Sequence, residues 1–246
     1  MKNICIVFSI MAIMIFGCDR QENHNESPSE LLYIDNNSNE GDSVRLNIEK
    51  DKNGKITSIC NYRNELQHGI CRFYFHNGQV KEEGNFFYGL PIDTFRFYDD
   101  KGLLKAIREY QIVKGESVVN QYQFFDDNEK IIKNKSNYII LSAQKDTITL
   151  GEEYVLNIKL EAPRFNSKMD VVIGGFDAQY NLTDSTNYIV LKATDFEVQY
   201  RFSSTNLGEN TVRGIVKDYK IIKNSDTIQA RRNIYFTKKY FVSAQH

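Results

Sequence analysis

Cys60 and Cys71 have the most reactive side chains in the middle of the sequence, and their spacing decides what chemistry they can do. A hairpin turn centred on Glu65 and Leu66 would place the two cysteines opposite each other on adjacent strands. They would then form a disulfide in an oxidising compartment, with a loop-closure effect of at most about 3 kcal/mol. Two separate, half-buried thiols are the alternative. The spacing is not that of a CxxC motif and few ligands lie nearby, so no metal site is predicted.

The sequence contains no recognisable catalytic motif. It lacks GxSxG, HExxH, P-loop and GxGxxG patterns. A general base needs a partnered and partly shielded imidazole, whereas the histidines occupy tether, turn or terminal positions. The four histidines are His24, His68, His76 and His246. Adjacent acids such as Asp99-Asp100 and Asp126-Asp127 are typical of turns. We therefore expect a protein that is not an enzyme, with no catalytic residue and no cofactor.

Composition and charge favour strands and argue against nucleic acid as a partner. The chain has 15 Tyr, 16 Phe, 3 Pro and no Trp, and long stretches with helical periodicity are missing. It carries 31 basic and 32 acidic residues. Removal of residues 1–17 would take away Lys2 and leave 30 basic against 32 acidic side chains, a charge of about −2. Such a balance produces no long-range field that attracts polyanions.

The first 18 residues have the layout of a secretory signal peptide. Lys2 precedes an apolar run over residues 4–16, which would span about 20 Å as a helix, short of a ~30 Å hydrocarbon core. The junction Ile15-Phe16-Gly17-Cys18 resembles the lipobox of bacterial lipoproteins. That resemblance implies a lipid on Cys18 and cleavage before it, so residues 1–17 are the predicted signal peptide and the membrane is a predicted partner.

Residues 18–41 are predicted to be the lipidated cysteine and a flexible tether, because residues 19–30 are polar and acidic. Acidic residues after the cysteine resemble surface-export signals of some Bacteroidetes lipoproteins. In enterobacteria, Asp19 would instead resemble an inner-membrane retention signal. The predicted location is the bacterial cell envelope, with the outer membrane or cell surface favoured over the inner membrane.

A 24-residue repeat covers residues 42–135. Its columns are Gly54, Gly78 and Gly102; Ile56, Val80 and Leu104; and Tyr62, Phe86 and Tyr110. A fourth copy is fainter, with Glu129 in place of the glycine. Each copy has the pattern strand, tight turn, strand, because glycine supplies the positive φ that a hairpin needs. The repeat predicts an elongated antiparallel meander of stacked hairpins.

The segments Phe73–Val80 and Phe97–Leu104 resemble MORN-type repeats of the bacterial antitoxin-like variant group. That resemblance implies a scaffold or interaction surface. The aromatic side chains have two interpretations: the core of a thin sheet, which we favour, or a row that binds glycan or peptide. The candidate ligand face consists of Phe73, Phe75, Phe86, Tyr88 and Phe97.

Residues 136–246 lose the repeat and show short alternating strands. Tyr154, Leu156, Ile158 and Leu160 alternate with Val155, Asn157 and Lys159, and residues 196–202 show the same alternation. Seven or eight short strands predict a two-sheet sandwich. Further strands are expected at 169–173, 188–191, 211–216, 227–230 and 234–236. The stretches 146–154 and 208–214 resemble strands of immunoglobulin-like domains in bacterial envelope proteins, which implies a spacer or docking module.

Four Asp-Ser/Thr-aliphatic or Asp-Ser-Thr stretches resemble the O-glycosylation sequon of Bacteroidetes envelope proteins. Ordinary turn and strand-start chemistry is the alternative. The candidate acceptors are Ser43, Thr147, Ser185 and Thr227.

Three functional hypotheses follow for an all-β protein with this organisation. The leading one is a membrane-anchored, non-catalytic scaffold that binds an envelope protein. The second is a surface binder of glycan or peptide that uses the aromatic repeat face. The third is a hydrolase with a site between the two domains, for which clustered carboxylates in a cleft would be needed.

Overall fold

The computed structural model describes residues 44–165, 167–222 and 227–244, together with the backbone of Glu30–Leu32. Within these residues the chain is all-β, as predicted, and one turn of 3₁₀ helix covers Lys133–Lys135. No helix in this part of the chain is long and apolar enough to cross a membrane. The strands are β1 (Glu30–Leu32), β2 (Arg45–Lys50), β3 (Ile56–Arg63), β4 (Leu66–Tyr74), β5 (Val80–Phe87), β6 (Leu90–Tyr98), β7 (Leu104–Val113), β8 (Glu116–Phe124), β9 (Ile139–Ala143), β10 (Thr147–Thr149), β11 (Glu153–Leu160), β12 (Lys168–Gly174), β13 (Tyr188–Lys192), β14 (Glu197–Ser203), β15 (Gly208–Ile221) and β16 (Ile228–Ser243).

Strands β1–β8 form one antiparallel sheet in which each strand pairs with the next along the chain. This sheet, which we call the meander, confirms the predicted meander of hairpins. At one end its turns contain Gly54, Gly78 and Gly102, with φ of 76°, 86° and 85°. In each turn the glycine N–H donates to the carbonyl three residues earlier. A register shift lies just before each turn, at 49/50, 73/74 and 97/98, so the bulges repeat with the 24-residue period.

The same turn occurs twice without glycine. Glu129 has φ of 57° in the fourth copy, and Tyr180 has φ of 59° in a further copy that the sequence analysis did not identify. In these turns Asp126 and Asp177 accept main-chain N–H bonds from the residues two and four positions later. The aspartate therefore fixes the turn even where the left-handed residue has a side chain.

At the other end of the meander the turns are two residues long and left-handed throughout. Asn64 and Glu65 form the first, with φ of 48° and 63°, which is type I′ geometry. The turn thus lies one residue earlier than the predicted centre at Glu65 and Leu66. A register shift between Cys60 and Tyr62 compensates, so that Cys60 still lies opposite Cys71.

The remaining strands form a five-stranded sheet, in the order β10-β16-β15-β12-β13, and a three-stranded sheet, in the order β14-β11-β9. We call them the sheet pair, because one hydrophobic core joins them. Tyr154, Leu156, Ile158 and Leu160 are each at most 2% exposed in that core, which confirms the predicted alternation. The prediction of separate strands at 227–230 and 234–236 was wrong: residues 228–230 and 234–236 belong to one strand, β16, whose long pairing with β15 continues through the residues between them.

A buried polar joint connects the meander to the sheet pair. The side chain of Asn120 in β8 makes two hydrogen bonds with the main chain of Tyr235 in β16. Its Oδ1 accepts the Tyr235 N–H at 2.7 Å, and its Nδ2 donates to the Tyr235 carbonyl at 2.8 Å. Arg232 donates to the carbonyl oxygens of Val119 and Asn120 at 3.1 and 2.9 Å, and also to Asn137 Oδ1. Asn120 and Asn137 are 1% and 0% exposed. Because buried amides are costly when unpaired, this joint fixes how β8 meets β16.

Candidate functional site

The aromatic side chains of the candidate ligand face lie on three different parts of the meander. Phe73, Phe86 and Phe97 share one face of the sheet. Glu82 of β5 is the register partner of both Phe73 and Phe97, so these three side chains point the same way. Phe86 joins them because alternate residues of a strand point to the same face. Phe75 lies in the turn after β4, and Tyr88 lies in the turn after β5, at the opposite end of the strands. The structure therefore brings three of the five together and separates the other two.

The shared face is covered in part by its own rings. An added Cβ at Gly84 would lie 2.3 Å from the Phe95 ring, so only glycine fits beneath that ring. Phe95 is 3% exposed, and its ring centroid lies 5.3 Å from that of Phe86 and 6.4 Å from that of Phe97. Rings stacked over small residues give this single-layered part of the sheet a core. Phe95 was missing from the candidate ligand face, and only its position opposite a glycine could have indicated its burial.

Two charged side chains stand among these rings. In the sheet register, Glu82 is paired with Phe73 of β4 on one side and with Phe97 of β6 on the other. Burial raises the pKa of the Glu82 carboxyl. The Arg108 guanidinium carbon lies 4.7 Å from the centroid of the Phe97 ring, a cation–π distance. We call Phe73, Glu82, Phe97 and Arg108 the aromatic face. Aromatic rings, carboxyl groups and guanidinium groups are side-chain types with which proteins in general contact sugar rings or peptide side chains.

A second surface lies at the β3–β4 and β5–β6 turns. It consists of Leu66, His68, Ile70, Phe87, Tyr88 and Leu90, and we call it the turn patch. Its five apolar members are 36–49% exposed, which is unusual for a contiguous group of large apolar side chains. Strand alternation places Leu66 and Ile70 opposite to Cys71, so the turn patch points away from the aromatic face.

Contacts within the turn patch hold its two hairpins together. The His68 ring centroid lies 5.4 Å from that of Phe87 and 4.8 Å from that of Tyr88. The N–H of Gly89 donates to the carbonyl of Gln67 at 2.8 Å. The His68 Nδ1 atom is buried and lacks a hydrogen-bond partner within the described residues. His68 therefore acts as a packed ring, and the patch around it is ordered although exposed.

The disulfide between Cys60 and Cys71 closes the hairpin that carries Leu66. The two Cα atoms are 4.1 Å apart, and the cysteines are 1% and 0% exposed. Of the two alternatives open from the sequence, the structure has the disulfide. Because the crosslink joins β3 to β4, it limits the opening of the hairpin that supports the turn patch.

A concave site of about 460 Å³ lies at the glycine-turn end of the meander, lined by Lys55, Ile56, Ile59, Tyr74, Phe75, His76, Asn77 and Gly78. His76 Nδ1 lies 3.2 Å from Asp51 Oδ2, but the imidazole is 81% exposed. Hydrogen bonds lower the pKa of Asp51, foremost from the main-chain N–H of Lys55. His76 therefore has the acidic partner that a general base needs, but its imidazole is not shielded from solvent.

The candidate modification sites are spread over the chain. Thr147 is exposed in β10, Ser185 is exposed in a turn, and Thr227 is exposed just before β16. Cys18 and Ser43 lie outside the described residues.

The joint between the meander and the sheet pair contains one buried carboxyl group. Asp218 Oδ2 accepts the main-chain N–H of Arg164 at 2.6 Å and the Asn137 amide at 3.4 Å, while burial raises the pKa of Asp218. The described residues hold no group of three or more His, Cys, Asp or Glu that could bind a metal. The clustered carboxylates that the hydrolase hypothesis requires are not found at this joint within the described residues.

Comparison of the sequence with models of protein families finds no match, and comparison with curated proteins finds none either.

Proposed function

We propose that this protein is a lipid-anchored scaffold of the bacterial cell envelope that binds a partner protein through the turn patch and catalyses no reaction. The observation that carries the proposal is the contiguous exposed apolar surface of Leu66, Ile70, Phe87, Tyr88 and Leu90. Exposed apolar patches of this kind mark protein-interaction sites, and aromatic residues are enriched in such interfaces.

The anchor and the two β regions fit this role. Lipid on Cys18 would hold the chain at a membrane. The predicted tether of residues 18–41 is shortened by β1, which pairs with β2, so the stretch from Cys18 to Glu30 would let the folded part reach a partner. We interpret residues 42–135 as MORN-like repeats and residues 136–246 as an immunoglobulin-like sandwich. Both resemblances imply surfaces for binding rather than catalysis.

The turn patch is held in a form that suits a stable interface. Type I′ turns and the Cys60–Cys71 disulfide restrict its hairpins, so little conformational entropy is lost when a partner binds. Arg63 lies with its guanidinium carbon 6.0 Å from the centroid of the Tyr88 ring at the border of the patch. The exposed apolar centre of the patch predicts a partner surface with apolar side chains.

A crosslinked pull-down of the full chain from intact cells tests the proposal. The double variant Leu66→Ser/Phe87→Ser should lose a partner that the unchanged chain recovers in stoichiometric amount. The matched control is Leu207→Ser/Phe241→Ser, because these side chains are 58% and 47% exposed and lie outside the patch. Equal recovery by both double variants would contradict the role of the turn patch.

A second candidate function is the binding of glycan or peptide at the aromatic face. The observation that favours it is the placement of Glu82 and Arg108 beside the half-buried Phe73 and Phe97 rings. Screening the full chain against glycans and peptides would identify a ligand, and Phe97→Ala should then weaken its binding at least tenfold. Unchanged binding by Phe97→Ala would exclude this face as the site.

A further inference from the structure

Strand β13 leaves one edge of the five-stranded sheet open. It pairs with β12 on one side, and no strand of the described chain pairs with its other side. The N–H of Ala193 donates to the carbonyl of Met169. In an antiparallel pair every second residue bonds to the same neighbour, so Leu191 and Ile189 also bond to β12. The main-chain groups of Tyr188, Val190 and Lys192 therefore point away from the sheet.

This edge carries only one of the charged side chains that normally protect a free strand. Tyr188, Ile189 and Val190 are 48%, 41% and 44% exposed, and Lys192 is the one charged residue of the strand. Strand β14, the edge of the facing sheet, instead carries Glu197 and Arg201. Exposed apolar edges are sites for strand addition, whereas charged edges resist it.

We propose that β13 binds β13 of a second copy of this chain, antiparallel, about a two-fold axis at Val190. In this register Val190 lies opposite Val190 of the second copy, and Tyr188 lies opposite Lys192 of the second copy. All the outward main-chain groups of the three residues then find partners, which gives about six hydrogen bonds across the axis. The strand is self-complementary in this register, which is why the occupant is a second copy.

The charges support the same register. Lys192 Nζ bonds Asp170 Oδ2 at 2.7 Å, and the Tyr219 hydroxyl bonds the same carboxylate oxygen at 3.1 Å. Each lysine therefore brings its own counter-ion, and the two copies do not repel each other at this edge. The ring of Tyr188 would lie beside the alkyl chain and ammonium group of the opposing lysine, a favourable cross-strand pair.

A gap beside β13 would also be bordered by the second copy. This cavity of about 260 Å³ opens between the two sheets and is lined by apolar and aromatic side chains such as Ile189 and Phe202 and by the polar Asn187, Thr211 and Arg213. In the proposed register, Ile189 lies opposite Leu191 of the second copy. These two side chains extend the inner apolar row over the mouth of the gap.

Disulfide trapping in the full chain tests the pairing. Residues opposite each other in a hydrogen-bonded antiparallel pair have Cα atoms about 5.5 Å apart, which a disulfide spans. Val190→Cys should give a dimer on a non-reducing gel, at least fivefold more than Gln199→Cys, an exposed residue of β14. Equal amounts for both variants, or a crosslink of Val190→Cys to a different protein, would overturn the proposal.

A proline variant supplies the independent control. Val190→Pro removes an outward N–H that does not bond β12, so the fold is kept while pairing is lost. Sedimentation should show dimers of the unchanged full chain and monomers of Val190→Pro, and their unfolding midpoints should agree at protein concentrations low enough for both to be monomers. A dimer of Val190→Pro would also overturn the proposal. Leu66→Ser/Phe87→Ser should leave the dimer unchanged, so this inference and the turn-patch proposal can fail separately.

Discussion

The meander and the sheet pair are built from the same kind of strand but are held together differently. In the meander each strand pairs with its neighbour in sequence, and aromatic rings cover small residues such as Gly84. In the sheet pair β10 pairs with β16, more than 90 residues later, and the core lies between two sheets. The meander therefore depends on local turns, whereas the sheet pair depends on contacts between distant segments.

This difference explains where exposed surface is available for binding. A core between two sheets hides its largest apolar side chains, as at Leu156 and Ile158, which are 0% exposed. A single-layered sheet leaves both faces near solvent, so the meander has the turn patch on one face and the aromatic face on the other. The sheet pair offers binding groups mainly at a free strand edge, as at β13.

The largest expected effect comes from the core of the sheet pair. Leu156→Ala should lower the free energy of unfolding by about 3–5 kcal/mol, because a fully buried leucine leaves a cavity. Phe97→Ala in the meander should cost about half as much, since its ring is only partly buried. Urea unfolding of both variants measures the difference. Equal losses would contradict the contrast between the two regions.

The joint is the next most sensitive point. Asn120→Ala would leave the main-chain N–H and C=O of Tyr235 unpaired, at a cost of about 2–3 kcal/mol. The meander and the sheet pair should then unfold in separate calorimetric transitions. Asn157→Ala, whose amide lies on the surface of the sheet pair, is the control and should keep the wild-type transition. One unchanged transition for both variants would show that the joint does not couple the regions.

Removal of the disulfide tests the meander alone. Cys60→Ala/Cys71→Ala opens a link between residues 11 apart and should cost about 2–3 kcal/mol. Hydrogen exchange should rise in β3 and β4 and stay unchanged in the sheet pair. Mass mapping without reductant should find the Cys60 and Cys71 peptides linked. Two free thiols at these positions would contradict the disulfide and favour the alternative of two separate thiols.

A smaller gain is expected at the fourth repeat turn. Glu129 has φ of 57°, where glycine is preferred, so Glu129→Gly should raise the free energy of unfolding by about 0.5–1 kcal/mol. The reverse test is Gly102→Ala, in a turn with φ of 85°, which should lower it by a similar amount. Thermal melts of both variants check the signs. A loss with Glu129→Gly would mean that its side chain, rather than the turn, matters.

The smallest effect depends on pH. Hydrogen bonds with Lys133 and Lys159 lower the pKa of Glu161 to about 2. A carboxyl with a lowered folded-state pKa stabilises the fold above its ordinary pKa near 4.5 and loses that contribution as the pH falls towards 2. The unfolding midpoint of the unchanged chain should therefore exceed that of Glu161→Gln at pH 6 and converge with it near pH 2. A constant difference would rule out this ion pair as the cause.

The repeat made the meander predictable, and the lack of a repeat limited what could be predicted beyond it. The spacing of Gly54, Gly78 and Gly102 predicts the turns because one residue type at one position fixes each of them. The first two-residue turn is harder to predict, since Asn64 and Glu65 adopt left-handed φ without glycine, whereas the next two contain Gly89 and Gly115. The long pairing of β15 with β16 was missed because polar residues inside both strands resemble turns.

The candidate site could be predicted only in part, for a related reason. Aromatic spacing identified Phe73 and Phe97 of the aromatic face, but it could not identify Glu82 and Arg108, which are not aromatic. Leu66 and Leu90 belong to the turn patch because two hairpin ends meet, and no local pattern indicates which turns touch. The Asn120–Tyr235 contact joins residues 115 apart and has no counterpart in composition or periodicity.

The most direct test of the proposed scaffold is site-specific photo-crosslinking in intact cells. A benzophenone amino acid would replace Phe87 in the turn patch or, as control, Phe241 in the sheet pair, which are 49% and 47% exposed. We predict one dominant adduct with an envelope protein from position 87 and none of that adduct from position 241. The same adduct from both positions, or none from position 87, would contradict the claim that the turn patch is the binding surface.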